Sequence, residues 1–123
     1  VSAHKNGEDI LELAREYNDS LEHGAVIAVA GRSNGLGGAL AANLNLPVIS
    51  CPPFADKSDL MLNVGSSLMM PSQTPAGTVV DPGNAAALAL RCLNLPDLRM
   101  LFDGEIAATK AGQRAADAEV RGR

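Results

Sequence analysis

The hexapeptide Ala25 to Ala30, Ala-Val-Ile-Ala-Val-Ala, is apolar at every position and runs straight into Gly31-Arg32-Ser33-Asn34-Gly35-Leu36-Gly37-Gly38. A strand with one solvated face alternates apolar and polar residues, whereas a strand covered on both faces does not. The hexapeptide therefore predicts a strand of a parallel sheet lying between helical layers. The glycine-rich octapeptide is the turn that leads it into a helix. Residues 46–50, Leu-Pro-Val-Ile-Ser, repeat the strand signal and are stopped by Cys51-Pro52-Pro53, and Thr78 to Val80 predict a short third strand. Asn6 is expected to cap a helix with Glu8 and Asp9 at the positive end of its dipole, and Ile10, Leu13, Ala14 and Tyr17 fall at the spacing of one buried face. Residues 18–24 read as a polar loop. Further helices are expected over residues 39–44, over residues 58–70 with Asp56 or Ser58 as cap, and from Asp81-Pro82-Gly83-Asn84 to about Leu95. A last helix starts at Asp97, anchored by Leu98, Leu101 and Phe102, and its polar end from Lys110 to Arg123 is expected to fray or to lean on another subunit. Strands alternating with helices make βαβ units, hence an α/β fold with a parallel sheet and no second domain.

Composition narrows the function. At 46% hydrophobic and 20% charged residues the chain is globular, and with 2% aromatics its core is aliphatic. A formal charge of −4 offers no basic face for non-specific nucleic-acid binding, yet a few local cations can still hold a small anion. No apolar run is long enough to cross a bilayer: Ala85 to Leu90 is interrupted by Arg91. There is no signal-peptide pattern, and the two cysteines, Cys51 and Cys92, form no CxxC pair, as expected in a reducing cytosol. With only two histidines there is no metal-ligand spacing either. The chain opens Val1-Ser2-Ala3-His4-Lys5, without Met, in what reads as the end of a strand entered part way.

In open α/β sheets ligands bind beyond the carboxyl ends of the strands. The loops expected there are Ser2 to Lys5, Gly31 to Gly37, Ser50 to Pro53 and Pro71 to Ala76. The Gly31–Gly37 loop is neither GxGxxG nor a Walker loop. It reads equally as an ordinary βα turn and as a binding loop whose N–H groups approach an anion or a planar ring; Arg32 and Ser33, which folding does not require, favour binding. Ser2-Ala3-His4-Lys5 sets a hydroxyl, a proton carrier and a compact cation side by side, against the plain alternative of a solvated strand end. His23 reads as surface, Cys51 as a small buried residue, Met61, Met69 and Met70 as core or subunit-interface packing, and Arg114, Arg121 and Arg123 as a solvated tail.

Four segments in register carry a family resemblance: Ser-Ala-His-Lys at 2–5, Val-Ala-Gly-Arg-Ser-Asn-Gly-Leu-Gly at 29–37, Pro-Val-Ile-Ser-Cys-Pro-Pro at 47–53 and Ser-Ser-Leu-Met-Met-Pro-Ser at 66–72. From Val1 to about Leu95 the chain resembles the AIR carboxylase family, also called PurE. Lys5 and the Gly-Arg-Ser-Asn-Gly-Leu loop favour its class II form over the bacterial mutase class. The resemblance implies a three-layer, flavodoxin-like fold whose first strands, with a glycine- and serine-rich phosphate loop, would precede Val1. Residues 1–123 would then be a single AIR carboxylase domain, incomplete at its N-terminus, with 97–123 as a C-terminal helix and tail. It implies a cytoplasmic enzyme of purine synthesis, a homo-oligomer (tetramer or octamer) with shared sites. The reaction would be direct carboxylation of aminoimidazole ribonucleotide by carbon dioxide, without ATP, biotin or metal. On this basis His4 would carry the proton and Lys5 would hold the phosphate. Gly31, Arg32 and Ser33 would line the base and the new carboxylate, beside Ser2 and Ala3. A carboxyaminoimidazole ribonucleotide mutase and a non-catalytic nucleotide-binding or assembly module remain as alternatives.

Overall fold

The computed structural model describes residues 2–122, and the reading of Val1 as the end of a strand lies outside them. The chain divides into two compact units, residues 1–93 and residues 94–123. The first holds α1 (Gly7–Ser20), β1 (Val26–Ala28), α2 (Gly35–Asn43), β2 (Val48–Ser50), α3 (Lys57–Asn63), α4 (Gly65–Leu68), β3 (Ala76–Thr78) and α5 (Pro82–Leu93). The second is α6 (Pro96–Val120) with its flanking residues.

The three strands form one parallel sheet in the order β1-β2-β3, with Val26 opposite Val48, Ile27 opposite Ile49, and Val48 opposite Ala76. Successive side chains point to opposite faces. On one face Ala28 and Val48 pack with Ile10 of α1 and Leu40 and Ala41 of α2. On the other, Ile49 and Cys51 pack on Ala85 of α5. The sheet thus has helices on both faces. The apolar character of residues 25–30 led us to expect complete cover, and here the structure differs. Val26 and Ala28 belong to the first core, but Ile27 and Val29 remain 37% and 60% exposed.

Local chemistry explains where the elements begin and end. Helix α1 has its acids in the first turn, but Asn6 makes no side-chain cap. It runs through Asn18, read as loop, because the Asn18 side chain donates to the Asn43 carbonyl and accepts from the Asn45 N–H, both at 2.9 Å, tying the end of α1 to the end of α2. Asp56 caps α3 by accepting from the Asp59 N–H at 2.9 Å. The expected helix over 58–70 is two short ones meeting at Val64 and Gly65. The third strand lies at Ala76–Thr78, two residues earlier than expected. Its place is set by pairing with β2, and the Val79 N–H makes a further bond to the Ser50 carbonyl. Residues 71–75 consequently enter β3 at its amino end, not at the carboxyl edge where a ligand loop was expected. The end of α6 does not fray but stays helical to Val120, in keeping with its Ala, Lys, Gln, Arg and Glu residues, strong helix formers that outnumber Gly112, Asp117 and Val120. Of its expected anchors Phe102 is buried and Leu98 half-buried, but Leu101 is 52% exposed. Arg121, read as a solvated tail residue, bonds Asp117 one turn back at 2.9 Å. Among the described residues no helix is long and apolar enough to cross a membrane.

Candidate active site

Two short segments meet above the carboxyl end of β1. The first, Ser2 to Asn6, is one tight turn closed by the Ser2 carbonyl, which accepts from the Lys5 N–H at 3.0 Å and from the Asn6 N–H at 2.7 Å. Ala3 packs against the α1–α2 core, so the turn is anchored on its apolar residue while His4 and Lys5 are exposed. The second is the Gly31–Asn34 loop, from which α2 departs at Gly35.

The glycines of this loop have separate duties. A Cβ on Gly35 would lie 2.7 Å from Cε1 and Nε2 of His4, so the imidazole rests directly against the first turn of α2 where only glycine leaves room. A Cβ on Gly37 would lie 2.4 Å from Ser50 Oγ and 2.7 Å from Asn34 Nδ2. Gly37 therefore makes space for a buried polar knot. Asn34 caps α2, its Oδ1 accepting from the Gly37 N–H at 2.8 Å, and its Nδ2 donates to Ser50 Oγ at 2.8 Å and to Ser67 Oγ at 3.0 Å. Asn34, Ser50 and Ser67 are all buried, and every buried side-chain polar atom among the described residues has a partner. One carboxamide thereby joins the loop, the end of β2 and α4.

His4 and this loop face a common cleft of about 260 Å³ lined by Ser2, Ala3, His4, Val29, Ala30, Gly31, Ser33 and Leu36. Complete small-molecule sites measure roughly 300–1,000 Å³, so this cleft is at or below the small end of that range. Of the residues singled out in the sequence, Ser2, Ala3, His4, Gly31 and Ser33 line it together. Arg32 lines a neighbouring cleft of about 290 Å³ with Gly31, Pro53, Phe54, Ala55, Asp59 and Asn63. Lys5 stands outside both linings. His23 is at the surface, 3.8 Å from Glu22, and Cys51 is buried at the end of β2, as expected. Met61 and Met69, read as core or interface residues, are 76% and 83% exposed, so neither belongs to the core of this chain. Sequence reasoning missed Asn34, Ser50, Ser66 and Ser67 as a unit. Only the hydrogen bonds through Asn34 join them, since separations of 16 to 33 residues carry no periodic signal. No group of three or more His, Cys, Asp or Glu side chains able to hold a metal ion occurs among the described residues.

The chain is similar to several known proteins. A phosphoribosylaminoimidazole carboxylase of Archaeoglobus fulgidus is 40% identical over 97 residues, covering 79% of this chain and 52% of that protein. A probable multifunctional protein ADE2 of Caenorhabditis elegans is 47% identical over 92 residues, covering 75% of this chain. The chain spans about a fifth of the length of that protein (21%) and about half of the archaeal one. The crystal structure of Treponema denticola PurE superposes with a TM-score of 0.74 at 31% identity, over 98% of this chain and 75% of that one. Residues 1–114 match the AIR carboxylase family, and with the parallel sheet and the four motifs in register, the chain belongs to that family.

Proposed function

We propose that this chain supplies the catalytic cleft for carboxylation of aminoimidazole ribonucleotide by carbon dioxide, a step of purine synthesis in the cytoplasm. The observation that carries the reading is the meeting of His4 with Gly31 and Ser33 in one cleft. The aminoimidazole ring carbon is an enamine-like nucleophile, and carbon dioxide needs positioning more than activation. The ring carbon forms a bond to the carbon of carbon dioxide, whose oxygen takes the negative charge. His4 then accepts the proton from the ring carbon, restoring aromaticity, and returns it when the reaction runs backward. Ser33 and backbone N–H groups of the loop receive the new carboxylate. Lys5, exposed beside His4, meets the phosphate, and Arg32 adds a cation on the far side of the loop. The names of the relatives favour carboxylation over the mutase alternative.

The intact protein is proposed to be a tetramer or octamer, on the strength of Leu62, Leu68 and Met69, which stand 83%, 64% and 83% exposed around α3 and α4. Light scattering should show no monomer at micromolar concentration. The function is tested by offering the intact protein aminoimidazole ribonucleotide with bicarbonate, and separately the N-carboxylated isomer. Turnover of the first and not the second is expected; turnover of the second alone would establish the mutase, and binding of either without turnover would establish a non-catalytic module. Lys5→Ala should raise KM for the phosphorylated substrate and leave kcat nearly unchanged, since a point charge on the phosphate acts in ground and transition states alike.

A further inference from the structure

Ser33 reaches the cleft from an exposed loop without regular structure, and the residue before it, Arg32, holds a left-handed backbone at φ 57°. Such a conformation is unfavourable for a side chain with a Cβ and persists only where the surroundings impose it. The imposing group is Ser66. The hydroxyl of Ser66 donates to the Arg32 carbonyl at 2.6 Å and accepts from the Asn34 N–H at 3.1 Å. Those two groups belong to the peptide units on either side of Ser33, so one oxygen holds both. The Ser33 carbonyl is in turn fixed by the Gly35 N–H at 2.9 Å.

Ser66 is itself well placed to act as a clamp. It is exposed and sits on the short helix α4, which its buried neighbour Ser67 secures: Ser67 Oγ accepts from Asn34 at 3.0 Å and its carbonyl accepts from the Thr78 hydroxyl at 3.1 Å. Of the adjacent serines, one locks α4 to the sheet and the other reaches across to the loop. Among the described residues the competing acceptor for the Ser66 hydroxyl is the Asn63 carbonyl, at the longer distance of 3.1 Å. Ser66 does not line the cleft with His4, so any influence on chemistry passes through Ser33.

We propose that Ser66 is a positioning residue of the reaction, its hydroxyl fixing the two peptide groups that flank Ser33 so that Ser33 faces His4 across the cleft. The inference rests on the carboxylation reading above. In the intact protein, Ser66→Ala, Ser66→Thr and Asn34→Ala are compared with the unaltered enzyme by kcat, KM and melting temperature. Ser66→Ala should lower the melting temperature less than Asn34→Ala does, since it unties only the loop and leaves Ser50 and Ser67 bonded, yet lose on the order of 10- to 100-fold in kcat with a smaller change in KM, as misplacement of a reacting group by about 1 Å would cause. Ser66→Thr keeps the hydroxyl and should restore most of the loss. Asn34→Ala should lose activity and stability together, because it also unties buried Ser50 and Ser67. A Ser66→Ala enzyme with unaltered kcat would overturn the proposal, as would a loss that Ser66→Thr fails to restore. If the unaltered protein does not carboxylate the substrate, it is the functional reading that fails.

Discussion

Ile27 and Ile49 are the same residue type, on neighbouring strands, directly opposite each other in the sheet, and they live in different surroundings. Ile49 is 2% exposed over Ala85 of α5, and Ile27 is 37% exposed at the wall of an apolar cleft of about 650 Å³ shared with Val29, Pro53, Phe54 and Val80. The face toward α1 and α2 shows the contrary pattern: its core is closed, and its cleft, above the end of β1, is lined by Ser2, His4 and Ser33. The larger cavity is thus apolar apart from the thiol of buried Cys51, and the smaller one carries the exposed imidazole of His4. Size points to one face and chemistry to the other, and it is chemistry that identifies a site.

The comparison is tested first by truncating the paired isoleucines in the intact protein. Ile49→Ala should destabilise it by about 2–5 kcal/mol, the range for a buried isoleucine that leaves a cavity, measured by denaturant unfolding. Ile27→Ala should remove less than about half of that if solvent meets it as it does here. Equal losses would mean that further polypeptide covers Ile27 in the intact protein, and the contrast between the faces would disappear. Next in size is Gly37→Ala, whose new methyl would drive into Ser50 and Asn34, both buried. A loss of about 1–3 kcal/mol is expected from overpacking, seen as a lowered melting temperature. Smallest in stability is Gly35→Ala. Its methyl meets only the exposed ring of His4, which can swing away, so folding should change by less than about 1 kcal/mol. Displacing that ring should nevertheless lower kcat about tenfold or more. If Gly35→Ala left kcat intact, the contact between His4 and α2 would have no catalytic meaning.

Much of this was legible in the sequence because it depends on local signals. The apolar runs at 25–30 and 46–50 mark the two paired strands, Asp56 marks a helix start, and the two loop motifs contain Ser2, Ala3, His4, Gly31 and Ser33, which the fold brings to one cleft. What escaped depends on partners distant in the chain. The register of β3 follows β2 and not the β-branched residues Val79 and Val80. Helix α1 is lengthened by bonds from Asn18 to Asn43 and Asn45. Ser66 and Ser67 resemble any polar pair until Asn34 is seen between them and the loop. Lys5 shows the reverse case: adjacent to His4 in sequence, it is not beside it in the cleft lining.

The account stands on His4 as the group that carries the proton. The most direct measurement is turnover of aminoimidazole ribonucleotide by the intact protein with His4→Asn, alongside the dissociation constant for the same substrate. Asparagine keeps a polar group in the cleft but carries no proton near neutral pH, so the substrate should bind with little change while kcat falls by ~10²-fold or more. Normal turnover by His4→Asn would contradict the account, since His23, the other histidine of the chain, lies at the surface and lines neither cleft flanking Gly31.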